Sequence, residues 1–308
     1  MNYKKIKANN VKILVCCHKP CDLPNNPDGI FVPIQVGAAI SNWKSTIQRD
    51  DQLEGRQCEN ISSKNKSYCE LTAMYWAWKN LRKIYPDTEY IGLFHYRRYF
   101  SFSFRNYFTD LIFREEKEVN NYRIDLPKLQ KILSYSEVIL SRRKLYPYSL
   151  EIDYCVCHIS DDVKTLQKVV HDLYPDYDID MYKIFVCNNK LSPYNIFLLE
   201  WNNFDKYCLW LFSILEECER RIDISAYTDV QKRIWGFMGE RLLNVWVHHN
   251  LKRISFLNIL KYDSSAKGHS LILYGMDKLR KNCSFLFGRS YNINFKKYLY
   301  ILDGAKVE

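Results

Sequence analysis

Short apolar runs alternate with longer segments of helical spacing along most of the chain. The run VKILVCC, residues 11–17, reads as a buried strand that stops abruptly at His18, Lys19 and Pro20. Residues 25–33, NNPDGIFVP, are turn-rich, and IQVGAAISN is a short helix or a loop around Gly37. Residues 48–67 read as polar loop. The segment CELTAMYWAWKNLRKIYPD sets Leu71, Met74, Tyr75, Trp78 and Leu81 on one helical face, and Pro86 and Asp87 end it. A strand, EYIGLF, follows at once and passes into His95, Tyr96, Arg97 and Arg98 with no turn residue between.

Residues 101–125 are irregular and charged. Beyond them LPKLQKILSYS reads as a helix and EVILS as a strand. SDDVKTLQKVVHDLYP is a helix with Ser160 or Asp161 as its cap. YNIFLLEW is a strand, NFDKYCLWLFSILEECERR an amphipathic helix, and GERLLNVWVHHN a shorter helix after Gly236 and Gly239. ISFLNIL is a late strand, and the tail from about residue 265 is basic and less periodic. This alternation predicts an α/β layered fold, a mainly parallel central sheet flanked by helices. No repeat, low-complexity tract or linker interrupts it, so one domain over residues 1–264 with a basic appendage over 265–308 is expected.

The chain of 308 residues is long enough for a sizeable core. Its formal charge of +10 suits an anionic partner: nucleic acid, a phosphorylated small molecule or an anionic membrane. No nucleic-acid-binding motif is visible, so nucleic acid is not the expected partner. Eleven cysteines, an odd count with no C-x-x-C pair, argue against a zinc ladder and for free thiols in a reducing cytosol. The opening MNYKKIKANN is polar, unlike a signal peptide, and no apolar stretch approaches the ~20 residues that span a bilayer.

In open α/β sheets ligands bind beyond the carboxyl ends of the strands. Two polar clusters fall at such ends: His18 and Lys19, and His95 to Arg98. The planar fork of arginine matches phosphate oxygens, so a pair of arginines there suits a diphosphate. Strand alternation would send Arg97 and Arg98 to opposite faces, and the plain alternative is an ion-paired surface pair. Asp178 and Asp180 form an Asp-x-Asp that follows a helix and a proline, and they read as solvated loop. Ser67 and Glu70 have the spacing of a capping box.

The combination of EYIGLFHYRRYF with the preceding YCELTAMYWAWKN resembles the signature of a bacterial capsular-polysaccharide synthesis family, long described as a domain of unknown function. That family is now regarded as galactofuranosyltransferases that build surface glycans. HKP, VPIQVGAA, ENISSKNKSYCELTA, YCVCHISDD and RIWGFMGERLLNVWV agree in order, so the resemblance covers roughly residues 11 to 260. Two positions depart from it: Glu59 stands where the family commonly has Asp, and Ile196 where it commonly has Met.

The resemblance implies a GT-A-like nucleotide-sugar transferase fold. It implies transfer of a hexose, galactofuranose from UDP-galactofuranose, to a lipid-diphosphate-linked glycan at the cytoplasmic face of the inner membrane. Many such enzymes carry Asp-x-Asp and a divalent metal where a buried strand leaves the sheet. Here Arg97, Arg98 and His95 stand in that place, with His18 and Lys19 beside them, so a metal-independent reaction is expected. If the reaction inverts the anomeric centre it needs a base. Glu240, read as lying at a helix start that lowers its pKa, is a base, a structural acid paired with Arg241 or Arg233, or a contact to the donor sugar. His158, Asp161 and Asp162 are its rivals. Lys64 is assigned to phosphate, Asn60 to sugar hydroxyls, and Gln35 to the nucleotide. The basic, aromatic tail rests on anionic lipid or packs on the domain. A non-catalytic module binding a nucleotide or an anionic glycan is the alternative function.

Overall fold

The first strand, β1 (Val11–Cys17), is buried on both faces, and this sets a layered architecture. Leu14 and Cys16 point into one core, while Val11, Ile13, Val15 and Cys17 point into another. The computed structural model describes residues 6–103, 111–263, 271–288 and 295–303. The strands that follow are β2 (Phe31–Gln35), β3 (Gln48–Arg49), β4 (Gln52–Leu53), β5 (Arg56–Gln57), β6 (Tyr90–His95), β7 (Arg98–Ser101) and β8 (Leu111–Arg114). After them come β9 (Val138–Ser141), β10 (Lys144–Leu145), β11 (Lys190–Leu191), β12 (Phe197–Glu200) and β13 (Ile254–Tyr262). Nine of them form one sheet in the order β12-β9-β13-β7-β6-β1-β2-β3, with β8 on β13 and a further β12–β6 pairing.

The sheet is mixed, with antiparallel pairings set among the parallel ones. The β3-β2-β1-β6 half is parallel throughout. Antiparallel pairing enters with β12, which lies between β6 and β9, and with β7, which folds back from β6 onto β13. Alternating helices and strands do not reveal such a reversal when the reversing turn has no turn residue. Residues 48–67, expected as loop, contain β3 at the sheet edge and the β4–β5 hairpin.

The helices are α1 (Asn65–Tyr68), α2 (Leu71–Trp76), α3 (Arg82–Ile84), α4 (Leu126–Leu133), α5 (Leu150–Cys157) and α6 (Ser160–Leu173). They continue with α7 (Asp178–Met181), α8 (Trp201–Arg221), α9 (Ile234–Asn250), α10 (Leu271–Gly288) and α11 (Phe295–Leu302). A π-helical turn over Ala77–Leu81 joins α2 to α3 and rotates the buried face by one residue. Trp76 and Ala77 are therefore fully buried, while Tyr75 and Trp78 of the predicted face are half-buried against Phe212 of α8. Helix α6 starts without a side-chain cap, since Ile159 precedes it, so neither Ser160 nor Asp161 has the expected role.

The larger core joins α2, α6, α8 and α9 to one face of the sheet through Trp76, Phe204, Trp235 and Trp246. The smaller core lies under α4 on the opposite face, around Phe94, Tyr99, Tyr122 and Ile132. From the tail, α11 buries Tyr298 and Leu302 in the larger core. All eleven cysteines are free. Among the described residues no helix is long and apolar enough to cross a membrane.

Candidate functional site

The polar run after β6 is a hairpin. His95 ends β6, Arg98 begins β7, and the two pair directly, leaving Tyr96 and Arg97 as the turn. Two-residue hairpins usually recruit left-handed residues such as Gly or Asn, but neither Tyr96 nor Arg97 has a positive φ. Neighbouring strands hold this turn instead. Tyr96 N donates to the Cys16 carbonyl at 3.1 Å, and Tyr262 N donates to the Arg97 carbonyl at 2.9 Å. The turn thus sits beside the carboxyl end of β1, where His18 and Lys19 are exposed. The His18 ring meets the Tyr96 ring edge-on at 5.3 Å. The Arg97 guanidinium lies 5.0 Å from the Tyr96 ring, and that of Arg98 lies 4.4 Å from the Tyr194 ring.

His95 faces inward. Its Nε2 donates to the Tyr194 carbonyl at 2.6 Å. Burial holds its pKa below the ordinary value, as does the nearby Arg98 charge, against the opposing effects of Glu70 and the Tyr194 hydrogen bond. His95 therefore braces the Tyr194 peptide from the end of β6.

The brace leads to Glu240, whose carboxylate accepts from the Tyr194 N–H. Glu240 lies in the second turn of α9, not at a helix start, because α9 begins at Ile234 and runs through both glycines. The glycines are close-packing positions. A Cβ on Gly239 would meet Leu71 Cδ1 at 2.8 Å, and one on Gly236 would meet Cys69 Sγ at 3.1 Å. The pKa argument for Glu240 reverses accordingly. Burial raises it above the ordinary glutamate value, and the Glu70 charge adds to this against the opposing effects of Arg241 and the Tyr194 N–H. Arg241 pairs with Asp153 at 3.2 Å and reaches Glu240 only at 4.0 Å.

Backbone strain gathers around the same groups. Four non-glycine residues among those described have positive φ, and three of them lie here: Cys69 (51°), Tyr194 (78°) and Asn195 (52°). Each such residue costs about 1–3 kcal/mol and persists only where its surroundings over-determine it. The determinants are visible. His95 and Glu240 grip both sides of the Tyr194 peptide, and Asn195 Nδ2 donates to Glu70 Oε1 at 2.7 Å. Arg233, just before α9, donates to Cys69 Sγ at 3.4 Å, and its charge is felt at His18 and His95. Glu70 is therefore a site residue and not half of a capping box, and Ser67 Oγ donates to the Lys64 carbonyl. Sequence reading missed Glu70, Tyr194, Asn195 and Arg233 as site residues.

The other expected residues have different partners. Gln35 is fully buried, donating to the Trp43 carbonyl and accepting from Ser45 Oγ, both at 2.7 Å. Asn60 closes a local turn, accepting from Ser62 N at 3.0 Å and donating to the Cys58 carbonyl at 2.8 Å. Lys64 pairs with Glu219 at 2.7 Å. These three side chains have partners within the fold. A hub that the sequence did not disclose lies beneath them: the buried Asp50 carboxylate accepts from Gly37 N, Ala38 N, Ser62 Oγ and Thr72 Oγ1 at 2.5–2.9 Å. His158 stacks on Phe237 at 4.1 Å, and burial lowers its pKa to about 4. Asp162 is buried and accepts from the Tyr227 hydroxyl at 2.7 Å, whereas Asp161 is exposed.

The Asp-x-Asp is not solvated loop. Asp178 and Asp180 are 7% and 8% exposed on α7. Asp178 accepts from His171 at 2.7 Å, and Asp180 accepts from both His248 and His249 at 2.7 Å. Among the described residues no group of three or more His, Cys, Asp or Glu side chains is placed to hold a metal.

Buried polar atoms are normally paired. Around the hairpin, Arg98 Nε, Ser192 Oγ and Asn195 Oδ1 are buried without a protein partner. Residues 12–251 match a family described as "Domain of unknown function (DUF4422)". The chain belongs to the DUF4422 family. This DUF4422 protein is also similar to a solved structure, "WbbM bifunctional glycosytransferase apo structure", at 27% identity and a TM-score of 0.69. The match covers 82% of this chain and 45% of the neighbour, so the chain spans less than half of that protein's length. No curated protein matches the chain.

Proposed function

We propose that this DUF4422 protein is a glycosyltransferase with a GT-A-like fold. It moves a hexose, galactofuranose from UDP-galactofuranose, to a lipid-diphosphate-linked glycan on an inner-membrane surface. The observation that carries this reading is one hydrogen-bonded path from a cationic hairpin to a partly buried carboxylate, in a chain similar to a glycosyltransferase. The nucleotide diphosphate lies against Arg97 and Arg98, with Lys19 and His18 at the rim and Arg233 across the site.

The acceptor hydroxyl attacks the anomeric carbon as the bond to the diphosphate oxygen breaks, and the configuration inverts. Glu240 takes the hydroxyl proton. Its raised pKa makes it a better base than an ordinary carboxylate. The arginines stabilise the charge that develops on the departing diphosphate, the task a metal performs in related chemistry, so no metal cofactor is needed. In the basic, aromatic tail, α10 faces the membrane beside the catalytic domain over 1–264, while α11 packs on that domain.

A donor screen with mass analysis of the product tests the proposal. UDP release and a hexose-extended acceptor are expected with UDP-galactofuranose, and both are lost in Glu240→Gln. Tight UDP binding with no turnover for any donor would instead make the protein a binding module.

A further inference from the structure

A cavity opens on the face of the sheet that carries α4. It has a volume of about 420 Å³, a size suited to a small organic ligand. Its walls come from the end of β7, the middle of β13 and the α4 helix with the residues after it. Phe102, Ile132, Tyr135 and Leu257 supply an apolar interior, and Tyr135 is 53% exposed. The charged side chains at the rim have one sign. Lys128, Lys131 and Arg142 line the cavity, and among the described residues no carboxylate does. Lys128 is partly neutralised by Asp125 at 2.8 Å, and Arg142 Nη1 donates to Asn258 Oδ1 at 3.3 Å.

The cavity and the hairpin are joined by short stretches of chain. β7 runs from Arg98 at the site to Ser101 in the cavity wall, about 10 Å at strand rise. Ser141, next to Arg142, donates through Oγ to the Pro193 carbonyl, one residue before Tyr194. An apolar interior with an all-cationic rim suits an anion that carries a hydrocarbon chain.

We infer that this cavity binds an alkyl phosphate, the phosphate at Lys131 and Arg142 and the chain against Phe102, Ile132 and Leu257. Its use as the seat of the acceptor's lipid end rests on the glycosyltransferase reading; the binding itself does not.

Calorimetry on the intact protein with butyl, hexyl and octyl phosphate, each below its micellar concentration, tests it. Affinity is expected to rise, by up to roughly fourfold per methylene. Octanol and inorganic phosphate should each bind at least tenfold more weakly than octyl phosphate. Lys131 is exposed, so Lys131→Glu should fold, keep UDP binding and lose octyl phosphate affinity at least tenfold. Leu257→Trp, which fills the cavity from β13, should do the same. Affinity independent of chain length would reduce the site to a plain anion patch and overturn the inference. Octanol binding as tightly as octyl phosphate, or unchanged binding in Lys131→Glu, would also overturn it. A protein that binds octyl phosphate through this cavity but transfers no sugar would leave the inference standing and reject the glycosyltransferase proposal.

Discussion

Two regions of the chain place carboxylates, histidines and aromatic rings together, and they differ in what they leave undone. Around the hairpin, Glu240 and Glu70 grip a turn with two left-handed residues, and Arg98 Nε and Asn195 Oδ1 have no protein partner. Around α7, Asp180 is shared by two histidines and Asp178 is held by a third, on helical backbone without strain. One oxygen there, Asp178 Oδ1, lacks a partner. Both regions touch α9: Glu240 lies in its second turn and His248 eight residues on, about 12 Å along the axis. Composition does not separate them. Backbone strain does, since it is tolerated where a ligand completes the arrangement.

The sharpest break of this comparison is Glu240→Gln. Removal of a general base typically lowers turnover by about 10²–10⁴-fold. UDP affinity should stay within about twofold of wild type, because the nucleotide contacts the hairpin. The Tm should not fall, since glutamine removes the ionised form that burial disfavours. Turnover within about threefold of wild type would move the base elsewhere, with His158 the next to test. Arg97→Ala and Arg98→Ala rank second, each costing about 3 kcal/mol of barrier, on the order of 100-fold. Arg98→Ala should also loosen the Tyr194 turn it covers, seen as faster amide exchange there. Normal turnover in both variants would end the diphosphate assignment.

A pH profile sharpens the same contrast. Glu240 must be ionised to act, so the rate should fall as pH drops through an apparent pKa above the ordinary glutamate value of 4.5. Stability runs the other way for this group. A carboxyl with a raised folded pKa contributes fully below its unfolded pKa and loses that contribution as pH rises through the folded one. Between those two values, acidification should lower the rate while strengthening Glu240's contribution to folding. An acid limb at or below the ordinary value would contradict the buried setting of the base.

Much of the frame was legible because local pattern decided it. β1, β6 and α8 followed from apolar runs and helical spacing, and the polar groups at the ends of β1 and β6 do lie side by side. What escaped was decided over long range. Ser67 and Glu70 satisfy the capping pattern, yet Asn195, distant in sequence, takes the Glu70 carboxylate. Gly236 and Gly239 look like breakers before a helix, yet they let α9 approach Cys69 and Leu71, which moves Glu240 off the helix start. The hairpin carries no turn residue because β1 and β13 supply the hydrogen bonds that hold it. Asp178 and Asp180 read as solvated because the histidines that hold Asp180 lie on a helix far along the chain.

The smallest effect expected is at α7, and it bears most directly on the chemistry. Asp180 is held by histidines that are 40% and 29% exposed, so Asp180→Asn should cost on the order of 1 kcal/mol of stability. With Asp178→Asn added, sugar transfer should remain within about twofold of wild type, and a chelator should leave both proteins equally active. The opposite result has a definite form. Activity abolished by chelator, restored by manganese in the wild type and not in the double variant would place the diphosphate at α7. The hairpin would then be a structural element, and its unpaired arginine nitrogen would need another explanation. The two clusters make opposite demands, because a metal at Asp178 and Asp180 must first displace His171, His248 and His249, whereas a diphosphate at the hairpin displaces no protein hydrogen bond from Arg98 Nε.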